Sequence, residues 1–249
     1  MTSYEDYRSV IDASNLELQA IAEYLQDRED AVSPTTVLIG GWAVHAYNPW
    51  YGSIDIDLIT NSRTKQSLKE HLVSARGFDR YRTSDDTKRI EKITVDGKPI
   101  IIDFGTRERP DPFEGRDSTI QYDILDGRTE LKPVGGGLSI PVPKRELLLF
   151  FKLKAAWDRN FRIVNDTSCD PEWEKGKLRK DHADILALLD PKAGGQNVDL
   201  FALGEYLSQY PFLTGCLKQT ADDADAISWY GRMDRKEVEA AIMTILRSI

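Results

Sequence analysis

The sequence is poor in cysteine, in histidine and in long apolar runs. Its 249 residues include two cysteines and three histidines. Cys169 and Cys216 are too few for a disulfide framework and do not form the close pair of a metal site. The longest apolar run, residues 147–151, is far shorter than the roughly 20 residues that a membrane helix needs. The acidic N-terminal stretch also lacks the basic and apolar parts of a signal peptide. We therefore expect a cytoplasmic protein that does not use a membrane.

Two widespread enzyme signatures are missing as well. The sequence has no G-x-x-x-x-G-K-[ST] motif, which excludes a P-loop NTPase. With three histidines and no nucleophile elbow, no Ser-His-Asp arrangement can be argued.

The charge balance is acidic but uneven. The net charge of −8 argues against a protein that coats nucleic acid non-specifically. Residues 62–92, however, carry nine Lys/Arg against five Asp/Glu, and residues 144–180 carry ten against six. Each stretch is either a solvated face or a flank of an anionic substrate, and the charge count alone leaves both interpretations open.

Hydrophobic periodicity predicts an α+β protein with a mixed first part and a helical second part. "TTVLIGG" and "SIDIDLIT" have the pattern of strands, and the Asp96–Gly97 turn between two β-branched runs predicts a hairpin. "LKPVGGGLSIPVPK" predicts one further short strand. The helical pattern then dominates, with a domain boundary near Pro143 that separates residues 1–143 from 144–249. The expected helices there are 145–159, 177–189, about 198–209 and 234–248.

"SIDIDLIT" places two carboxylates inside a strand. Because side chains alternate along a strand, Asp55 and Asp57 share one face while their isoleucine neighbours point to the core. Two like charges this close raise each other's pKa unless a cation lies between them. Magnesium commonly binds one or two carboxylates together with substrate phosphates. The pattern therefore predicts a site for Mg²⁺ (or Mn²⁺).

A two-metal site needs a further carboxylate, and Asp103 is the candidate. It is the only charged residue in the apolar segment "PIIIDFGT". A D-x-D pair or a lone aspartate at a strand end has an ordinary structural explanation when it occurs alone. Their combination with Gly40 and Gly41, which follow another strand, is far more specific.

These motifs resemble the nucleotidyltransferase superfamily with the DNA polymerase β-like fold. The resemblance implies a mixed β-sheet with flanking helices, followed by a C-terminal helical domain. It implies that Asp55, Asp57 and Asp103 hold two metal ions, and that Asp103 also assists deprotonation of the attacking hydroxyl. The nucleoside triphosphate would contact the start of the helix after the strand, where backbone N–H groups favour phosphate. The corresponding residues here are Gly40 and Gly41, with Ser53 just before the D-x-D.

The helical half resembles the AbiE/MenT toxin-type nucleotidyltransferases through "ELLLFFKLKAAWDRNFR" and "KLRKDHADILALL". The helix period places Lys152 and Arg159 on one face, at i and i+7, and turns Lys154 away. The resemblance implies that Lys152 reaches the triphosphate with Arg159 beside it.

Two aspartates on the later helix, Asp181 and Asp184, leave several roles open. They could orient Lys152 or Arg159, could contact the base and ribose, or could form surface ion pairs with neighbouring basic residues. Asp181 is included among the nucleotide-binding candidates.

The predicted activity is metal-dependent transfer of NMP from an NTP to an acceptor hydroxyl, with release of pyrophosphate. The resemblance to toxins suggests RNA, such as a tRNA 3′ end, as the acceptor, and an antitoxin protein as a partner. Two enzyme alternatives are transfer to a small molecule of the aminoglycoside kind and transfer to a protein side chain. The remaining alternative is a non-catalytic nucleotide-binding protein of the same fold.

Overall fold

The computed structural model describes residues 7–80 and 89–248 of the chain. The chain divides into two compact units, Met1–Asp111 with Gln121–Pro143 and Pro112–Ile120 with Lys144–Ile249. The division expected at residue 143 assigned residues 112–120 to the first unit, whereas the structure places them with the helices. The reason is local bonding, since the Trp157 indole donates to the Glu114 carbonyl and the Glu114 backbone N–H donates to Asp158.

The first unit contains a five-stranded mixed sheet. Its strand order is β1-β2-β5-β4-β3, where β2 and β5 are parallel and the other neighbours are antiparallel. The α+β class predicted from the sequence, with a mixed sheet and flanking helices, is thereby confirmed. The helices of this unit are α1 Arg8–Gln26, α2 Gly40–Tyr47 and α3 Ser62–Arg76; its sheet strands are β1 Val37–Ile39, β2 Asp55–Thr60, β3 Asp79–Arg80, β4 Arg89–Ile93 and β5 Pro99–Thr106.

The hairpin predicted at Asp96–Gly97 joins β4 to β5. Gly97 has a φ of +74°, and the Thr94 N–H donates to the Lys98 carbonyl at 2.8 Å to close the turn. The turn also sets the register of the two strands, because Ile93 lies opposite Pro99 and the pairing continues from there to Arg89 opposite Asp103.

The segment after the sheet differs from the prediction of one strand. It forms a two-stranded antiparallel ribbon, β8 Thr129–Gly135 and β9 Leu138–Pro143, which turns through Gly135–Gly137. Those glycines have positive φ values, so the cluster that suggested an approach to a strand is itself the turn of a hairpin. Two short strands, β6 Asp111–Pro112 and β7 Thr119–Ile120, precede the ribbon and pair with each other.

The second unit is helical, as predicted for the C-terminal part. Its helices in the described chain are α4 Arg145–Val164, α5 Pro171–Leu189, α6 Leu200–Gln209, α7 Thr214–Asp222, α8 Ala224–Tyr230 and α9 Arg235–Ser248. No helix in residues 7–80 and 89–248 is both long and apolar enough to cross a membrane.

The predicted start of α5 at residue 177 was wrong by about two turns. The helix begins at Pro171, where the Asp170 side chain caps it by accepting a hydrogen bond from the Trp173 N–H. An aspartate cap, a proline in the first turn and two early glutamates are a standard helix start. The sequence "DPEWE" thus carried a start signal that the apolar pattern did not, because this end of the helix contributes little to the core.

Candidate functional site

The sheet of the first unit has one apolar face and one face that carries acids. On β2, Ile56 and Leu58 are at most 1% exposed, whereas Asp55 and Asp57, which alternate with them, are half-buried. The alternation predicted from "SIDIDLIT" is therefore confirmed, and both carboxylates lie on the same face. We call this the acidic face.

Strand register brings the third predicted carboxylate to the same face. In the parallel pair β2–β5, Asp57 is the Cα partner of Asp103. Ile102 and Phe104, the neighbours of Asp103, are at most 1% exposed and point into the core. Asp55, Asp57 and Asp103 are thus assembled on two adjacent strands, which stand roughly 4.8 Å apart in any sheet.

Register also places the glycine turn beside Asp57. Ile39 on β1 is the antiparallel partner of Asp57, and α2 begins at the next residue, Gly40. Gly40 has a φ of +67°, and a Cβ built on it would lie 1.9 Å from Asp57 Oδ2 and 2.8 Å from Cγ. Only glycine leaves room for the Asp57 carboxylate at this point. Of the other predicted residues here, Gly41 is buried in the first turn of α2, and Ser53 is half-buried in the loop before β2.

Asp103 is engaged by an arginine that the sequence interpretation did not include. Arg89, its Cα partner on β4, donates from Nε to Oδ1 at 2.8 Å and from Nη2 to Oδ2 at 3.0 Å. Counting outward from a two-residue Asp96–Gly97 turn would pair Arg89 with Phe104. The observed turn holds three residues, Val95–Gly97, between the bonded Thr94 and Lys98, and this brings Arg89 opposite Asp103.

The acids fit a divalent cation in part. Asp55 and Asp57 form the two-carboxylate set that magnesium uses when substrate phosphates complete its coordination. In the described part of the chain, no group of three or more His, Cys, Asp or Glu side chains is arranged to hold a metal ion. The Asp103 carboxylate instead faces the Arg89 guanidinium. The donor set thus matches a cation at the D-x-D pair and does not match the three-carboxylate set expected from the resemblance.

The helical unit contains a buried cluster of charges around Lys152. The Lys152 ammonium lies 2.9 Å from Asp181 Oδ1 and 2.7 Å from Asp184 Oδ2. Arg159 Nε lies 2.7 Å from the other oxygen of Asp181, and Lys180 Nζ lies 2.6 Å from the other oxygen of Asp184. The predicted helix face is confirmed, because Lys152 and Arg159 meet the same carboxylate while Lys154 turns away to Asp158.

Burial and pairing oppose each other in the pKa values of this cluster. Burial alone would lower the pKa of Lys152, but attraction by Asp181 and Asp184 outweighs it and raises the value. Burial would raise the pKa of Asp181, yet Lys152 and Arg159 hold it far below its usual range. Both groups are therefore charged at neutral pH, and each depends on the other to remain so.

The cluster differs from the surface network that was one alternative for Asp181 and Asp184. Asp184 is 0% exposed, and its pair with Lys180 is internal. Arg179, another basic residue close in sequence to the two aspartates, contacts Asp225 instead. Orientation of Lys152 and Arg159 by the two aspartates is the role that matches these contacts.

Many basic side chains of the two positively charged stretches are occupied by acids or carbonyls. In the first unit, Arg76 and Lys92 both bind the buried Glu17, at 2.9 and 2.7 Å. Arg82 and Lys88 of that stretch lie outside the described residues. In the helical unit the basic residues with such contacts are Arg145, Lys152, Lys154, Arg159, Arg162, Lys175, Arg179 and Lys180.

Two aromatic pairs lie close in sequence to the glycine turn. His45 packs edge-on against Trp42 at 5.2 Å between ring centroids, and the Trp42 indole donates to Ser14. Trp50 and Tyr51 lie against each other at 5.5 Å between ring centroids on the loop before β2.

Fold and acidic face together define an α+β protein with a D-x-D strand beside a glycine turn, followed by a helical unit. Comparison with family models gives no match, and comparison with curated protein sequences gives none. Among solved structures, the chain is similar to MenT4, a nucleotidyltransferase toxin from Mycobacterium tuberculosis H37Rv. The identity is 16%, the match covers 95% of this chain and 93% of that chain, and the TM-score is 0.38.

The Gly40–Asp57 contact predicts a specific cost for Gly40→Ala. The left-handed backbone costs a residue with a Cβ about 1–2 kcal/mol, and displacing Asp57 adds about 1–3 kcal/mol. Gly97→Ala is a matched control, since Gly97 has a φ of +74° and open space around the added Cβ. Urea unfolding measures both variants. Equal losses of stability would contradict the contact.

Lys152→Met should destabilise the protein strongly, because it leaves Asp181 and Asp184 buried with one cation fewer. Removing one partner of a buried pair costs about 3–5 kcal/mol. The control is Lys175→Met, whose pair with Glu172 is exposed and should change stability by less than about 1 kcal/mol. Similar unfolding midpoints for the two variants would refute the buried cluster.

The lowered pKa of Asp181 predicts acid sensitivity with a defined sign. A depressed folded-state value means that the carboxylate stabilises the protein above its unfolded pKa of about 4. The stabilisation is lost as the pH falls from there through the folded value. Asp181→Asn should therefore be less stable than wild type at pH 7 and should show a shallower loss of stability below pH 4. Parallel acid-unfolding curves for the two proteins would argue against this linkage.

Proposed function

We propose that this chain is a metal-dependent nucleotidyltransferase that moves NMP from an NTP to an acceptor hydroxyl and releases pyrophosphate. The observation that carries the proposal is the packing of the D-x-D strand against the glycine turn. Asp57 lies so close to Gly40 that a side-chain methyl group on residue 40 would clash with its carboxylate. A nucleotide phosphate held at the start of α2 would therefore lie next to a carboxylate pair suited to magnesium.

The residues of the acidic face have two roles, phosphate binding and metal binding. The backbone N–H groups of Gly40 and Gly41, at the first turn of α2, bind and orient phosphate oxygens, and Ser53 lies in the adjoining loop. Asp55 and Asp57 would hold Mg²⁺ or Mn²⁺, which when bound neutralises phosphate charge and favours the ionised acceptor. The resemblance assigns Asp103 to the metal and to acceptor deprotonation, and its ion pair with Arg89 bears directly on that role.

In the helical unit, we assign triphosphate contacts to Arg159 in the first place. Its side chain is 24% exposed, whereas that of Lys152 is 8% exposed. Lys152 then serves mainly to hold Asp181 ionised, and Asp181 in turn orients Arg159. The resemblance implied that Lys152 contacts the triphosphate directly. We assign that contact to Arg159 because its side chain is the more exposed of the two.

The acceptor is either an RNA end or a small molecule. The resemblance to toxin-type enzymes suggests RNA, together with an antitoxin partner. The internal pairing of Arg76, Lys92 and the basic residues of α4 and α5 favours the second candidate. An acceptor that needs no basic surface, such as a cationic small molecule, suits an acidic chain in which several basic residues are paired with acids.

The decisive assay is nucleotide transfer itself. The protein is incubated with each α-labelled NTP in turn, with Mg²⁺, and with either total cellular RNA or a panel of aminoglycosides. We expect label on one acceptor class in the wild type and a loss of at least about 100-fold in Asp57→Asn, since that variant removes a carboxylate from the cation. Asp96→Asn is the matched control, because the exposed hairpin turn accepts asparagine.

The outcomes separate the alternatives. Label on a tRNA-sized band that Asp57→Asn lacks supports RNA as the acceptor, and label on the small molecules supports the second candidate. Nucleotide binding without transfer to either class would turn attention to protein acceptors. Equal transfer by wild type and Asp57→Asn, or no NTP binding by the wild type, would refute the proposed activity.

A further inference from the structure

The acidic face carries a fixed positive charge that a two-metal site would not need. The Arg89 guanidinium binds both oxygens of Asp103 in a fork, at 2.8 and 3.0 Å. Asp103 in turn is the strand neighbour of Asp57. The Arg89 guanidinium therefore occupies the Asp103 carboxylate, which was expected to be a metal ligand.

The fork geometry makes Asp103 a poor ligand for a divalent ion. Magnesium requires near-ideal octahedral geometry with oxygens at about 2.0–2.1 Å. An ion so close to an Asp103 oxygen would also lie close to the guanidinium, and the two positive charges would repel each other. Arginine remains protonated at any physiological pH, so this charge cannot be removed by deprotonation.

A purely structural role is the competing explanation for this ion pair. The side chains of Arg89 and Asp103 are 37% and 33% exposed. Pairs that remain open to solvent contribute modestly to stability, and bidentate geometry such as this is the case in which the contribution is measurable. A contribution of that size stabilises the hairpin, while the position of the pair next to Asp57 also affects any ion bound there.

We propose that Arg89 takes the place of a second metal ion, so that the site binds a single divalent cation at Asp55 and Asp57. Asp103 is then a positioning residue that anchors the guanidinium beside the nucleotide and does not ligate metal. This inference rests on the proposed nucleotidyltransferase function and specifies its metal requirement. Lysine could supply the charge at position 89 but could not bind both carboxylate oxygens in the same plane.

The test is to count bound Mn²⁺ by electron paramagnetic resonance in the presence of an NTP analogue with a non-hydrolysable α,β-methylene bridge. We expect one ion per protein–nucleotide complex in the wild type and two in Arg89→Gln, where Asp103 is released to act as a ligand. Arg89→Lys, which keeps the charge, and Asp103→Asn should each stay at one. Arg63→Gln, an exposed arginine on α3, is the control and should also stay at one.

Each other outcome has a definite meaning. Two ions in the wild type, one ion in Arg89→Gln, or none in Asp103→Asn would overturn the inference and leave the proposed function standing. The proposed function itself would be overturned if the wild type gave no protein-dependent Mn²⁺ signal, or if Asp57→Asn gave the same signal as the wild type. Thermal unfolding of Arg89→Gln separates these results from misfolding, and a melting temperature within about 4 °C of wild type is expected for an exposed pair.

Discussion

The pairing of β2 with both of its neighbours determines the acidic face. Because β1 meets β2 with Ile39 opposite Asp57, the chain must turn into α2 directly beside that carboxylate, and Gly40 is the residue that permits it. Because β5 meets β2 with Asp103 opposite Asp57, a third acid joins the same face. A shift of one residue in the β2–β5 pairing would put the aspartates of the two strands on opposite faces, one of them the core face where Ile56 and Phe104 now lie.

The carboxylates of the two units differ in how deeply they are buried and in how their charge is balanced. On the acidic face, Asp55 and Asp57 are half-buried. In the helical unit, Asp184 is fully buried, and cations of the protein itself, Lys152 and Lys180, occupy both of its oxygens. Burial without such partners would cost several kcal/mol for each ion. The arrangement on the acidic face suits binding and release of a metal ion. The buried cluster around Lys152 suits a rigid support for the side chains around it.

The sequence was most informative wherever a short repeat or a single residue type decided the local structure. Alternation in "SIDIDLIT" and the Asp96–Gly97 turn led to the correct strand face and the correct hairpin. The fork between Arg89 and Asp103 required the register of the hairpin, which no residue pattern within one strand contains. The same holds for residues 112–120, whose place with the helices follows from contacts of Glu114 that are distant in sequence. The start of α5 was missed because its signal was a cap and not an apolar stripe.

Counting charges along a sequence overstates the positive surface of this protein. The stretch 62–92 carries a net +4, yet Arg76 and Lys92 are bound to Glu17 of a different helix, and Arg89 to Asp103. A count over one stretch of sequence includes each basic residue but misses its acidic partner when that partner lies elsewhere in the chain. Arginines that neutralise carboxylates attract a distant polyanion less strongly, because the field of the acid opposes their own and salt screens what is left. Part of the positive stretch 62–92 therefore serves as a scaffold that holds internal acids in place.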